Sequence, residues 1–139
     1  MKIMAIDYGD AHTGIAVSDA LLTLAGFTTV ITAYRPEAVA AEAQNLIAEH
    51  GVTELVLGHP LNMDGTRGPR AEKAEGFAAL LRETTGLPVT LWDERRTTVD
   101  AHNILMAGGK NAKQRKKTVD AVAASLMLEG YLTFKKRQK

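Results

Sequence analysis

The sequence predicts an α/β fold on a five-stranded mixed sheet, in the order βββαβαβαα, with helices on both faces. Three observations predict it. Short apolar runs rich in β-branched residues crowd the first 32 positions. Beyond them, Ala- and Glu-rich stretches opened by proline and closed by glycine alternate with further apolar runs. The last third holds helical patterns only.

Residues 2–8 (KIMAIDY) and 14–18 (GIAVS) are apolar runs separated by Gly9 and Asp10, the pattern of a hairpin. Residues 27–32 (FTTVIT) add a third strand, completing an antiparallel meander. Pro36 opens a helix over 37–50 that Gly51 closes. Residues 54–57 (ELVL) form the fourth strand. A loop over 58–68 leads to a helix that starts near Pro69 and ends before Gly86, and residues 88–92 form the fifth strand. Two helices follow, over 97–106 and 118–134, divided by Gly108, Gly109 and a lysine-rich linker spanning 108–117. The crossover connections place the last two strands parallel to the first. Ligands of such open sheets bind at the carboxyl ends of parallel strands, where strand order reverses. Here that point lies beside the ends of strands one, four and five.

With 139 residues, 45% apolar and 24% charged, the chain fits one domain spanning 1–139. The absence of cysteine excludes disulfides, thiolate zinc sites and cysteine nucleophiles, and suits a cytoplasmic protein. Asp7 and Asp10 interrupt the first apolar stretch too early for a signal peptide, and no run reaches membrane-spanning length, so neither export nor membrane insertion is expected. The net charge of +1 is unevenly spread. Residues 110–139 carry nine Lys or Arg against Asp120 and Glu129, a local +7, while the first 109 residues carry −6. That asymmetry suits a polyanionic partner or, more simply, a solvated helix ending in a basic tail over 135–139.

Acids stand at three places where chemistry is expected. Asp7 ends the first strand after a buried run, although a turn residue in Asp-Tyr-Gly-Asp explains it as well. Asp93 and Glu94 follow the fifth strand directly and must point in different directions; one can face the crevice while the other caps or pairs with Arg95 or Arg96. Asp120 begins an apolar helical stretch (VDAVAASLML), where it either contributes to a site or sits as a first-turn acid behind Thr118. Should carboxylates from these segments converge, their repulsion calls for a cation. Oxygen-only ligands suit Mg²⁺ or Mn²⁺, and two such ions can drive an in-line phosphoryl displacement.

These motifs resemble those of the YqgF/RuvX family, RuvC-like nucleases described as Holliday junction resolvases or pre-16S rRNA processing nucleases. The resemblance rests on DYG and GIAVSD (7–9 and 14–19), GHPLNMDGTRGP (58–69), DERRTT (93–98) and KTVDAVAASLMLEGYL (117–132). It implies a ribonuclease H-like fold, a divalent cation, and catalytic and metal-binding roles for Asp7, Glu94 and Asp120. It also selects Glu94 over Asp93. The chain departs from the family pattern in the first block, reading Ala11, His12, Thr13 where a basic pair is usual, and in having His59 beside Pro60.

For the substrate, the reading offers His12, Asn62, Arg67, Arg70 and Arg95, with Lys113, Lys116 and Lys117 ahead of Asp120. An Asp-Gly turn before a proline-started helix accounts for the 58–70 segment equally well. Few aromatic residues are present, so backbone charge and shape, rather than base stacking, are the expected mode of recognition. The partner is then nucleic acid, RNA before DNA on the family's rRNA role, within a pre-ribosomal particle, for a chain expected to be a monomer or weak dimer. Competing readings are a DNA junction resolvase, a non-catalytic ribosome-assembly factor, and ATP-dependent phosphoryl transfer. The last normally needs two such domains.

Overall fold

A computed structural model describes residues 1–96 and 112–137, and for residues 96 and 112–120 the backbone alone. The described elements are β1 (Lys2–Asp7), β2 (His12–Ser18), β3 (Ala25–Thr32), α1 (Pro36–His50), β4 (Val52–His59), α2 (Pro69–Thr85), β5 (Val89–Asp93), a 3₁₀ turn (Glu94–Arg96) and α3 (Ala112–Arg137). The helix expected over 97–106 lies outside the described residues.

The five strands form one sheet in the order β3-β2-β1-β4-β5. Antiparallel pairing joins β1 to β2 and β2 to β3, whereas β1, β4 and β5 run parallel. The meander and the two crossovers are thus as the sequence predicts. Strand order reverses at β1, whose carboxyl end lies beside that of β4.

Strand alternation sorts the side chains onto two faces. Met4, Ile6, Ile15, Val17, Leu55 and Leu57 turn to one face, where α1 brings Val39, Ala43 and Ile47 and α2 brings Phe77, Ala78 and Leu81. Ile3, Ala5, Ala16, Val56 and Trp92 turn to the other, covered by Ala124, Met127, Leu128, Tyr131 and Leu132 of α3. The i, i+3, i+4 spacing of those α3 residues is the apolar stripe of a helix lying on a sheet. Both crossover helices begin at a proline and end at a left-handed glycine, Gly51 (φ 69°) and Gly86 (φ 70°). Neither substitution site tolerates a side chain without strain.

α3 differs most from expectation. It starts at Ala112 rather than Thr118, so the segment assigned to a basic linker over 108–117 is helical from Ala112 onward. Lys, Arg, Gln and Ala are strong helix formers, and nothing between 112 and 118 breaks a helix, so the cap expected at Thr118 falls inside it. At the other end α3 runs to Arg137, taking Lys135, Lys136 and Arg137 out of the expected tail. Tyr131 donates a hydrogen bond to Glu54 Oε2 (2.5 Å), and Lys135 pairs with Glu54 Oε1 (2.7 Å). Glu54 lies near the start of β4, so α3 ends at the amino ends of the parallel strands and its first turns lie toward their carboxyl ends. No helix among the described residues is long and apolar enough to cross a membrane.

Candidate active site

At the carboxyl end of β1, Asp7 shares the face of Ile3 and Ala5, toward α3. Its cross-strand partner in β2 is Gly14. On the other side, one step past the Ile6 and Leu57 pair, β4 presents Gly58. Asp7 is therefore flanked by two residues without side chains. In β5, Trp92 faces α3, so Asp93 faces away and Glu94, in the 3₁₀ turn, returns to the side of Asp7. The Glu94 carboxylate comes within hydrogen-bonding reach of Asp7. Burial, the Glu94 charge and the shared hydrogen bond push the Asp7 carboxyl up from 3.8 to about 7, against a lowering by Arg70. Two acids from distant segments thus face each other, and among the described residues Arg70 offsets their repulsion only in part.

The neighbouring acid has a different role. Asp93 takes Arg95 in a fork, Nε to Oδ1 (3.0 Å) and Nη2 to Oδ2 (2.7 Å), and accepts the Arg95 N–H (3.0 Å). The residues alone leave open which acid faces the crevice and the family resemblance selects Glu94; Glu94 is the one that faces Asp7, and the buried Trp92 two residues before it is the local signal.

Asp120 lies on α3 one turn before Ala124; its side chain is outside the described set, as are those of Lys113, Lys116 and Lys117. From Tyr131 back to Asp120 is eleven residues, about 16 Å of helix, comparable with the about 17 Å from Glu54 to the end of β4. That brings the Asp120 backbone level with the carboxyl ends. Among the described residues no three acid or histidine side chains form a metal cluster.

Arg95 also donates to the Met63 carbonyl (3.3 Å). Arg67 holds Glu75 of α2 through Nε (2.8 Å) and Nη2, and His59 Nε2 meets the same carboxylate (2.6 Å). Arg67 first and His59 second hold Glu75 at about 2. The Asn62 amide donates to Thr66 Oγ1 (2.9 Å) and Asp64 accepts from the Thr66 hydroxyl (2.6 Å), so these groups shape the loop itself. His12, on the α3 side of β2, lies 3.4 Å through Nδ1 from Thr32 Oγ1. Of the expected substrate contacts, Arg70 alone makes no hydrogen bond among the described side chains. It lines a cleft of about 230 Å³ with Tyr8, Asp10, Pro60 and Lys73, on the α2 side of β1. Tyr8 is stacked on Phe77 (4.1 Å, 6°), and Lys73 pairs with Asp10. Sequence reading passed over Glu75, Tyr8 and Lys73, whose partners are distant in the chain.

The family model described as "RuvX: Holliday junction resolvase" matches residues 1–134. The chain belongs to the RuvX family. Among relatives of this RuvX chain, one from Halothermothrix orenii is 42% identical over 137 residues, covering 99% of this chain and 98% of its own. Another, from Geobacillus kaustophilus, is 44% identical over 138 residues, covering 98% of this chain and all of its own. Each bears the name "Putative pre-16S rRNA nuclease". Among solved structures, Thermus thermophilus RuvC in complex with a Holliday junction substrate superposes with a TM-score of 0.63 at 18% identity, over 97% of this chain and 96% of that one. That likeness shows the ribonuclease H-like fold.

Proposed function

We propose that this protein is a divalent-cation-dependent nuclease that hydrolyses phosphodiester bonds of structured RNA, in maturation of the 5′ end of pre-16S rRNA. The observation that carries it is the Asp7 and Glu94 pair, two facing carboxylates of which one titrates near neutrality. Facing carboxylates of this kind suit a site in which a cation takes the place of the proton on one of them. The names of the relatives supply the RNA preference.

The donor set fits the metal. Asp7 and Glu94 offer only oxygen, as Mg²⁺ and Mn²⁺ prefer, and Asp120, whose backbone stands level with the strand ends, would supply a third carboxylate. When bound, the cation supplies Lewis acidity at the scissile phosphate. The chain itself holds the carboxylates in place, releases the proton that Asp7 keeps up to about 7, and grips the strand. Arg70 takes a neighbouring phosphate at the cleft beside Tyr8, and the basic first turns of α3 (Lys113, Lys116, Lys117) supply sequence-blind charge. Arg67 and Arg95 serve by bracing the 58–68 loop against Glu75 and Asp93.

The test is incubation with matched labelled pre-16S RNA, single-stranded DNA and four-way junctions under Mg²⁺, Mn²⁺ or chelator, with Asp120→Asn as control. Metal-dependent RNA cleavage lost in the variant supports the reading. Junction cleavage without RNA cleavage transfers it to DNA recombination, which the family description favours. RNA binding with no cleavage under any metal points instead to an assembly factor.

A further inference from the structure

Gly58 is the last residue of β4 before His59 and faces α3 beside Asp7. A Cβ built there would lie 2.1 Å from Glu94 Oε1, 3.0 Å from its Cδ and 3.2 Å from its Cγ. Carbon and oxygen do not approach so closely without one of them moving. By contrast, a Cβ at Gly51, Gly76 or Gly86 would meet nothing within 4 Å. Nor does Gly58 serve a special backbone conformation, since the positive φ values among described glycines fall at Gly51, Gly65 and Gly86. What position 58 requires is empty space, and the Glu94 carboxylate fills it.

We propose that Gly58 is a positioning residue: its missing side chain is the seat on which Glu94 reaches Asp7 to form the cation-binding pair. This rests on the proposed metal role of that pair. The occupant is the far end of a flexible side chain, so a methyl group at 58 displaces Glu94 rather than the strand. The fold therefore survives while the pair is broken. A merely structural glycine would show the reverse, a loss of stability with the pair intact.

The experiment compares wild-type, Gly58→Ala, Glu94→Asp and the double variant by thermal melting, Mn²⁺ calorimetry and crystal structure. Gly58→Ala is expected to melt close to wild-type, to bind Mn²⁺ about 10- to 100-fold more weakly, and to show the Glu94 carboxylate moved off Asp7. Where cleavage is measurable, kcat falls and KM for the nucleic acid holds. The shorter side chain of Glu94→Asp withdraws from position 58, so adding Gly58→Ala to it costs little more. Full additivity of the two losses overturns the proposal, as does a Gly58→Ala structure with Glu94 still against Asp7. Should Gly58→Ala alone fail to fold, recovery in the double variant supports the proposal and its absence overturns it. Wild-type protein that binds Mn²⁺ yet cleaves nothing defeats the nuclease reading while leaving the comparison decisive for Gly58.

Discussion

The sheet holds a carboxylate near α3 at each of its ends, and the two are treated in opposite ways. At the amino ends, Glu54 is met by the Tyr131 hydroxyl and the Lys135 ammonium, and Tyr131 stands edge-on to Trp92 (5.6 Å, 83°). At the carboxyl ends, Asp7 is met by another carboxylate. The first acid is matched by the protein's own donors and ties α3 down. The second meets a like charge, which the more distant Arg70 offsets only in part among the described residues. Partially buried acids are thus sorted by what faces them, and only the unmatched kind marks a site.

The largest effect that sharpens this contrast is at Asp7. Asp7→Asn should lower metal-dependent cleavage by about a thousandfold, the scale of a lost transition-state stabiliser, while leaving the melting temperature unchanged or raised because a repulsion is removed. Activity equal to wild-type would erase the distinction between the two ends.

Proton and cation compete for the same oxygens, so Mn²⁺ affinity measured by calorimetry should rise with pH through about 7 and fall about tenfold per unit below it. Without metal, the sign on stability is opposite. The raised Asp7 value means the folded state holds its proton longer, so this contribution is whole below about 4 and is lost as pH rises through about 7. Melting curves of Asp7→Asn should lack that slope, while those of Glu54→Gln should keep it.

A smaller effect is expected at Arg70. Arg70→Ala should weaken nucleic-acid binding severalfold and reduce the slope of log affinity against log salt by about 1, with no change in melting. The smallest change in activity belongs to the matched end. Glu54→Ala should cost about 1–2 kcal/mol of stability in denaturant titrations and lower kcat only a few-fold.

Much of this organisation is legible in the chain. Pro36 with Gly51 and Pro69 with Gly86 bracket α1 and α2 because fixed φ and left-handed φ are local demands that sequence states openly. The position of Asp7 follows from the run before it. The start of α3 differs from expectation because the local signals, Gly108 with Gly109 and the cap residue Thr118, outweigh in a reading by motif the helix propensity that accumulates from Ala112 onward. The partners of Glu54 and Glu75 were invisible for a different reason. Glu54 and Tyr131 are 77 residues apart, and Arg67 reaches Glu75 only because a loop folds back onto a helix. Gly58 read as the opening of a loop, since a space needed by a side chain 36 positions later leaves no local signature.

The pin between Tyr131 and Glu54 acts at a distance. A helix clamped near its far end is a lever, and Asp120 lies about 16 Å along it from that pivot. A tilt of about 1° there swings residue 120 by about 0.3 Å, and the few-fold fall in kcat expected of Glu54→Ala is the size of effect such a small displacement produces. A tyrosine hydroxyl at the opposite edge of the molecule thereby sets where the α3 backbone at residue 120 stands relative to the strand ends.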